Sequence, residues 1–381
     1  MKIGWLILLA GLMAACAQTP LRGTGDLGIV IERANGRVAI VDTTQKSILG
    51  RIEGLGDLSH ASAVYGRDGR YAYLFGRDGG LTKVDILEQR IVKRVMQAGN
   101  SIGGAISQDG RLVVAQNYTP GGIKVFDAAT LELLSEVSTQ SKVVGLVDLP
   151  GQKFAYALFD KGEIWVTDLT DPRTPRTETH VAGKQPYDGL VTPDGRYYMA
   201  GLFGEDGIAL LDTWRPAEGA RKILENYGKG QEKLPVFKMP HLRGWAVAGN
   251  QAYLPAIGRH EVLVVDKSTW RETRRIPVKG QPVFVMARPD GRQVWVNFAH
   301  PDNGWVQVID TLSGEIIRTL QPGKAILHME FTPRGEHVWL SARDDHTVSI
   351  YDTRTFEKLG SLPVQSPSGI FFTNRAARTG F

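Results

Sequence analysis

The sequence contains a unit of about 42 residues that occurs eight times, and this repeat limits the possible folds more than any other feature. Each unit holds two alternating apolar segments around a short polar turn, and it ends on an aspartate that can hydrogen-bond the backbone of the next turn. The closing residues are Asp42, Asp85, Asp127, Asp168, Asp212, Asp266, Asp310 and Asp352, with spacings of 43, 42, 41, 44, 54, 44 and 42 residues. A period of this length with four short strands per unit is typical of a β-propeller blade.

The two ends of the chain are predicted to complete one blade together. A short apolar strand precedes each hairpin except the first, which covers residues 27–42, and the last such strand, residues 366–374, has no hairpin after it. Pairing these two segments closes the ring and leaves no long free edge. The sequence therefore predicts an all-β fold, an eight-bladed β-propeller over residues 26–381, with a surface insertion near residues 215–235 where the spacing rises to 54.

The N-terminal residues predict export and lipidation. Lys2 is followed by an apolar run of about a dozen residues that ends at Cys16. This run is too short for the roughly 20 residues of a membrane-spanning helix, and it fits a signal peptide. The boundary "LMAAC" resembles a bacterial lipobox, so we expect a signal peptide over residues 1–15 and a lipidated tether over residues 16–25. Ordinary signal cleavage after "MAA" is the alternative. Ala17, which follows the cysteine, favours attachment to the outer membrane, with the domain facing the periplasm.

Cysteine content and charge exclude several classes of function. Cys16 is the only cysteine, so disulfides, thiol nucleophiles, cysteine metal sites and a covalently attached c-type haem are excluded from the mature domain. The net charge of +5 is small for 381 residues, and no Lys/Arg-rich block of the kind that follows phosphates is present. A nucleic-acid partner is therefore not expected, and contact with a membrane is expected only through the lipid anchor.

One face of the predicted ring collects polar and ionisable side chains. The first strand of each propeller blade lines the central channel, and the start of that strand lies on the same face as the loop inside the following hairpin. The aligned strand starts are His60, Ser101, Lys142, Tyr187, His241, Pro282, His328 and Ser366. The hairpin loops on this rim contribute Arg77, Tyr118, Glu205, Arg259, His300, Arg343 and His346, and Arg243 and Arg288 are placed slightly deeper on inner strands.

Besides His346, four of the eight histidines fall on this one rim, namely His60, His241, His300 and His328. A single histidine at a strand start is usually a solvated or core residue, whereas four around one channel indicate a shared site. A zinc site is excluded, because zinc ligands lie within about 2 Å of the metal and opposite blades are too far apart for that. A planar metal macrocycle suits the arrangement, with one imidazole on the iron, others over the opposite face, and arginines binding carboxylates.

The segment "SHASAVYGRDGRYAYLFGRDGGLTKVDI", residues 59–86, resembles the haem d1 propeller of cytochrome cd1 nitrite reductase. "PHLRG" and "NYTPGGIKVFDAATLEL" resemble further segments of that family, and the likeness runs through the whole propeller. The resemblance implies that His60 is the proximal iron ligand and that His241 is one of two distal histidines. The second distal histidine falls on Arg288, so this chain lacks it.

The resemblance also implies a function. The reductase and its dehydrogenase relative each carry a cytochrome c domain, which this chain lacks, and a lone propeller with a lipobox is similar to the periplasmic proteins required for making haem d1. We therefore expect a protein that binds haem d1 or its late precursor at the channel face, for use by nitrite reductase in denitrification. It either modifies this tetrapyrrole in an oxidoreductase-like late step or delivers it, and nitrite reductase and the cytochrome-linked d1 dehydrogenase are the expected protein partners.

Two alternatives remain at this point. The chain is a non-catalytic propeller scaffold that binds protein partners, or it reduces nitrite itself, although it lacks an electron-delivering domain and one distal histidine. If the protein binds haem d1 or its precursor, the expected ligand-binding residues are His60, Arg77, Tyr118, Tyr187, His241, Arg243, Arg259, Arg288, His328 and Arg343. Some of these arginines are expected merely to pair with neighbours such as Asp78 or Asp344.

An enzymatic role would need a proton donor or acceptor near the macrocycle. His241 is the first candidate for it, and Asp148, in the apolar strand "VVGLVDL", is the second. The alternative for Asp148 is a carboxylate that bonds the backbone at the end of its strand.

Overall fold

The computed structural model describes residues 22–227 and 245–378, and in these residues 32 strands form eight four-stranded antiparallel sheets. The helical segments described are four short 3-10 turns, Pro216–Glu218, Ile257–Arg259, Arg343–Asp345 and Thr373–Ala377. No helix in these two ranges is long and apolar enough to cross a membrane. The expected signal peptide, Cys16 and residues 228–235 of the insertion lie outside the described residues.

The first 19 strands, in chain order, are β1 Leu27–Glu32, β2 Arg37–Asp42, β3 Ser47–Ile52, β4 Ser62–Tyr65, β5 Tyr71–Phe75, β6 Gly80–Asp85, β7 Arg90–Met96, β8 Asn100–Ile106, β9 Leu112–Thr119, β10 Gly122–Asp127, β11 Leu133–Ser138, β12 Val143–Leu149, β13 Lys153–Leu158, β14 Glu163–Asp168, β15 Arg176–Val181, β16 Pro186–Val191, β17 Tyr197–Leu202, β18 Ile208–Asp212 and β19 Ala220–Ile223. The remaining strands are β20 Ala246–Ala248, β21 Gln251–Ala256, β22 Glu261–Asp266, β23 Arg271–Pro277, β24 Pro282–Ala287, β25 Gln293–Phe298, β26 Val306–Asp310, β27 Ile316–Leu320, β28 Ile326–Phe331, β29 His337–Ala342, β30 Thr347–Asp352, β31 Lys358–Pro363 and β32 Pro367–Phe372.

Each sheet is one blade, and successive strands run from the centre of the ring to its outside. Blades 1 to 7 consist of β4–β7, β8–β11, β12–β15, β16–β19, β20–β23, β24–β27 and β28–β31, and blade 8 consists of β32 and β1–β3. Middle strands such as β6 are buried along their whole length, whereas outer strands such as β7 are exposed at most positions. The core lies between neighbouring blades, where, for example, Ile29 and Ile40 of blade 8 pack with Leu74 and Val84 of blade 1.

The ring closes as the sequence predicts. Strand β32 pairs antiparallel with β1, with Val30 opposite Ile370, so the C-terminal strand becomes the innermost strand of the N-terminal blade. Beyond β32, Arg375 forms an ion pair with Glu330 of β28, and both side chains are 2% exposed. Its guanidinium also lies 4.6 Å from the centre of the Phe371 ring. The predicted all-β, eight-bladed fold and its closure by the two chain ends are confirmed.

The aspartate that ends each repeat caps the turn after its strand. In blade 7, Asp352 Oδ1 accepts hydrogen bonds from the backbone N–H groups of Arg354 at 2.7 Å and Thr355 at 2.8 Å. These bonds lower the pKa of Asp352, because they stabilise its ionised form. Similar backbone bonds are made by Asp42, Asp85, Asp127, Asp168, Asp212, Asp266 and Asp310. The recurrent aspartate is therefore a turn-forming residue.

The chain enters the ring on the face where the innermost strands end. Thr24 donates a hydrogen bond from Oγ1 to the carbonyl of Asp68, in the turn between β4 and β5, at 2.9 Å. Thr373, just after β32, donates from its hydroxyl to the Thr24 carbonyl at 2.6 Å. Both contacts fix the first described residues on this face, which we call the base. The opposite face, where the innermost strands begin, we call the mouth.

Candidate functional site

A cavity of about 240 Å³ opens at the mouth of the ring. Seven of the eight blades line it, and the start of the innermost strand of blade 5 lies outside the described residues. Its walls are mainly aliphatic and aromatic, and polar side chains interrupt them at a few points. These polar side chains include Arg33, His60, Tyr187, Asp188 and His328.

The innermost strands are irregular where they line this cavity. Their pairing shifts register in six blades, at β8, β12, β16, β24, β28 and β32. Such a bulge redirects side chains and releases a backbone N–H from the ladder. Side chains accept from the released groups: Asn297 Oδ1 accepts from Phe284 N–H at 2.8 Å, and Ser341 Oγ from His328 N–H at 2.8 Å. The bulges thus hold Phe284 and His328 at the cavity wall.

His60 and His328, two of the predicted histidines, share the cavity. His60 is half-buried in the turn just before β4, and the Asp57 carboxylate supports that turn by accepting from Ser59 N–H at 2.8 Å. His328 is 8% exposed and lies between two aromatic rings, Phe284 edge-on and Phe371 stacked, each with its centre 5.8 Å away. His328 is thus held between aromatic rings, and the half-buried His60 stands at the opening.

The ring nitrogens of His328 are assigned from its contacts. Its Nδ1 accepts a hydrogen bond from the backbone N–H of Ile370 in β32 at 3.2 Å. A nitrogen that accepts carries no proton, so the neutral ring is protonated at Nε2. His328 is therefore anchored to the closing strand through one nitrogen, while the other carries the proton.

Tyr118 and Tyr187, both predicted, meet across blades 2 and 4. Their hydroxyl oxygens are 3.2 Å apart, and Tyr187 also packs edge-on against Phe159 at 5.9 Å between ring centres. Burial raises the pKa of both phenols, so both are neutral at physiological pH. They supply hydroxyl groups, and not charge, to this side of the mouth.

Arg33 and Arg77 provide positive charge on the other side of the mouth. Among the described residues neither guanidinium makes a hydrogen bond or an ion pair, and the carboxylate of Asp57 lies within electrostatic reach of both. Arg33 lines the cavity, and burial, together with the charge of Arg343, lowers the pKa of Arg33. Hydrogen bonds from Ser59 lower the pKa of Asp57, and the charges of Arg77 and Arg33 add to this, which places both arginines near the turn that carries His60. These two cations are available to a ligand.

The sequence prediction did not include Arg33 or Asp188. Arg33 follows β1, in the hairpin loop of blade 8 that corresponds to the loop carrying Arg77 in blade 1. Extending the same alignment to the first hairpin would have found it. Asp188 is 7% exposed and lines the cavity directly beside Tyr187. No regular strand pattern would place two neighbouring residues on one wall, so the sequence carries no simple signal for Asp188.

Several predicted residues lie away from the cavity. Arg343 makes two hydrogen bonds to its neighbour Asp344, from Nε at 2.6 Å and Nη2 at 3.1 Å, as the alternative for these arginines states. Arg288 was expected on the channel face, but it follows the far end of β24, near the base, and pairs with Asp290 at 2.6 Å. The cause is strand direction: Arg288 lies at the opposite end of its strand from the predicted start, Pro282.

The remaining predicted residues are also placed. Arg259 is exposed in a 3-10 turn, and His300 is exposed outside the cavity lining. Asp148 is buried in β12 at 1% exposure and does not line the cavity. His241 and Arg243 lie outside the described residues, as does Cys16. In the part of the chain that the structure describes, no three His, Cys, Asp or Glu side chains are grouped so as to hold a metal ion.

The cavity combines features that suit one class of ligand. Aliphatic and aromatic walls accept a flat, hydrophobic ring system, and an imidazole at the opening can coordinate a metal at the centre of such a ring. The guanidinium groups of Arg33 and Arg77 have Asp57 within electrostatic reach but form no ion pair among the described residues, and they can each bind a carboxylate through two parallel hydrogen bonds. A planar, metal-bearing, anionic macrocycle fits this set of residues.

Comparisons with known proteins agree with this chemistry. The profile of the family described as "Cytochrome D1 heme domain" matches residues 22–376. Protein NirF of Pseudomonas aeruginosa is 60% identical, and Protein NirF of Stutzerimonas stutzeri 58% identical, each over 98% of this chain and 98% of the relative. Among solved structures, dihydro-heme d1 dehydrogenase NirN in complex with DHE superposes with a TM-score of 0.81 and 24% identity, over 94% of this chain and 78% of that one.

Proposed function

Since this chain belongs to the cytochrome d1 haem domain family, we propose that it serves in haem d1 biogenesis by binding haem d1, or a late precursor, at the mouth of the propeller. The observation that carries the proposal is the position of His60, half-buried at the opening of an apolar cavity, with Arg33 and Arg77 beside its turn. The 60% identity with Protein NirF over nearly the whole chain supports the same assignment.

Each part of the cavity has a role in the proposed complex. His60 would hold the iron through its imidazole, the apolar walls would cover the macrocycle, and Arg33 and Arg77 would bind its acidic side chains. His328, buried and anchored to β32, would set the limit of the cavity on the blade 7 side. When bound, the tetrapyrrole supplies a redox-active iron, and the protein supplies orientation and charge.

The proposal extends to delivery. The NirN dehydrogenase, which has the same fold, has been determined in complex with DHE, and this supports a tetrapyrrole ligand for a propeller of this shape. We propose that the bound cofactor passes to nitrite reductase, with the d1 dehydrogenase acting on the same class of ligand. Among the described residues the cavity opens at the mouth, and this suits release of the ligand.

Lipidation at Cys16 and attachment to the outer membrane, facing the periplasm, form part of the proposal. The support is the "LMAAC" boundary and the absence of any other cysteine in the sequence. Mass spectrometry of the mature N-terminus tests it: a diacylglyceryl group on Cys16 is expected. An unmodified N-terminus near residue 16 on fully soluble protein would contradict it.

The test of ligand binding is spectroscopic. Purified protein titrated with haem d1 should give the spectrum of imidazole-ligated iron, and His60→Ala should change that spectrum while the protein stays folded. His180→Ala is the matched control, because His180 lies on the outer strand β15 and its loss should leave the spectrum unchanged. No spectral change with the unsubstituted protein would favour a scaffold that binds proteins instead.

A further inference from the structure

Asp188 is a buried carboxylate in the wall of the cavity. It is 7% exposed and belongs to the innermost strand of blade 4. In a ring of eight blades, blade 4 stands directly across from blade 8, which carries Arg33. Arg33 and Asp188 therefore line opposite walls of the cavity, and a ligand with a carboxylate on Arg33 places the rest of its body towards Asp188.

The backbone is built to aim Asp188 into the cavity. Neighbouring residues of a regular strand point to opposite faces, yet Tyr187 and Asp188 both line the cavity, because the pairing of β16 shifts register between Tyr187 and Leu190. Asp188 has a φ of 58°, a left-handed conformation that aspartate tolerates better than most residues. Gly145 of β12 packs against this backbone, and a Cβ at Gly145 would overlap Asp188 and Gly189. The close approach of two inner strands thus fixes the carboxylate.

Among the described residues, the ionisable groups near Asp188 are mostly phenols. Burial is the largest cause of the raised pKa of Tyr118, Tyr187 and Tyr198, and the charge of Asp188 also raises it, so its carboxylate lies within electrostatic reach of all three. Arg77 acts on Tyr118 and Tyr187 in the opposite direction. The other ionisable residues described on the strands packed against β16 are Asp148 of β12, Lys153 and Tyr156 of β13, and Tyr197 of β17, and those lining the cavity are Arg33, His60 and His328.

We propose that Asp188 takes up one proton from the solvent when the tetrapyrrole binds, and that the resulting carboxyl group donates a hydrogen bond to the ligand. The inference rests on the proposed function. A ligand with several carboxylates brings negative charge to the cavity and displaces water from it, and both changes favour the neutral form of a buried carboxyl group. Only a proton moves: the carboxylate gains it, and no electron is transferred.

The consequence is a pH-dependent affinity. If one proton is taken up per ligand, the affinity falls about tenfold per pH unit at pH values where Asp188 is ionised in the free protein and protonated in the complex. In Asp188→Asn the side chain keeps its size, is always neutral and donates through its amide. The affinity of this variant for haem d1 should therefore not fall with pH in this way.

The experiment is calorimetric titration of the full chain with haem d1 at several pH values, in buffers with different ionisation enthalpies. We expect one proton taken up per ligand in the unsubstituted protein and none in Asp188→Asn. Asp160→Asn is the control, because Asp160 is also a carboxylate at the rim but pairs with Lys142 at 2.9 Å. This variant should keep the pH dependence of the unsubstituted protein.

The outcomes separate the two proposals. Binding with the same proton uptake in Asp188→Asn and in the unsubstituted protein overturns the role of Asp188 and leaves the proposed function intact. Absence of proton uptake in the unsubstituted protein also overturns it, whether or not the variant folds. A failure of the unsubstituted protein to bind haem d1 at any pH overturns the proposed function itself.

Discussion

At the scale of single residues, the arginines differ in what lies next to them. Arg343 and Arg288 each have an aspartate one or two residues away and bind it, so their charge is already neutralised. Arg33 and Arg77 lie near the His60 turn, where Asp57 is within electrostatic reach, and they form no ion pair among the described residues. The local sequence therefore decides which arginines remain available to a ligand.

This difference gives the first prediction. Arg33→Ala and Arg77→Ala should each weaken haem d1 binding by about 2 kcal/mol or more, since a ligand carboxylate is left desolvated without its partner. Arg343→Ala is the matched control and should change affinity by less than about 1 kcal/mol, because it removes only an exposed pair with Asp344. Equilibrium titration of the three variants measures this. Equal affinities in all three would show that the carboxylates are bound elsewhere.

The sequence repeat predicts the site residues at strand starts, but it does not predict those placed by local irregularities of the strands. Counting back from each hairpin places His60, Tyr187 and His328 at strand starts, and the structure brings all three to one cavity. Asp188 is not predictable in this way, because a bulge turns it inward and no alternation of apolar residues encodes that bulge. Arg288 was predicted at the mouth but lies near the base. It follows the end of β24, and the end of the strand at which a residue lies determines its face of the propeller.

At the scale of elements, the terminal aspartate of each repeat accepts backbone hydrogen bonds in the turn that follows its strand. A net downward shift of the pKa is found for the carboxyls of seven of them, Asp85, Asp127, Asp168, Asp212, Asp266, Asp310 and Asp352. A depressed pKa in the folded state means that the folded protein holds these protons less tightly than the unfolded chain does. The stability they contribute is present above the unfolded pKa of about 3.9 and is lost as the pH falls through the folded values.

The second prediction follows from this sign. The contribution of these groups to the free energy of unfolding should be nearly independent of pH above about pH 5, and the free energy of unfolding should fall steeply below about pH 4. Asp352→Ala should lower it by about 1–3 kcal/mol at pH 7, because two backbone N–H groups lose their acceptor, and Asp352→Asn should lower it less. Denaturant unfolding between pH 3 and pH 7 measures both effects. A greater stability at pH 3 than at pH 7 would contradict the stabilising role of the ionised aspartates.

At the scale of the whole molecule, stability depends on joining the two ends of the chain. The eight repeats and the missing partners at both ends were enough to predict the ring, because each blade needs four strands and each apolar face needs a neighbour. The ion pair that secures the closing strand was not predictable. Arg375 and Glu330 belong to different repeats and meet where blade 7 packs against blade 8.

The third prediction concerns this closure. Arg375→Ala should destabilise the fold by about 3–5 kcal/mol, because it leaves the buried charge of Glu330 without its cation. Arg90→Ala, which removes an exposed pair with Glu88, is the control and should cost less than about 1 kcal/mol. The double variant Arg375→Met with Glu330→Met should lose less than Arg375→Ala, since apolar side chains replace both charges. Thermal unfolding of the unsubstituted protein and the three variants measures these losses of stability. Equal losses for Arg375→Ala and Arg90→Ala would contradict the prediction.

The base of the propeller holds the first described residues, with Thr24 fixed to Asp68 and Thr373. On the proposed anchor, residues 16–21 separate the lipid from this face, and six residues span at most about 20 Å. The base would then rest towards the bilayer, and the mouth would point away from it. Two molecules anchored in the same leaflet would present their openings in parallel and could not dock opening to opening. Cofactor handover would accordingly require a recipient that arrives from the aqueous side.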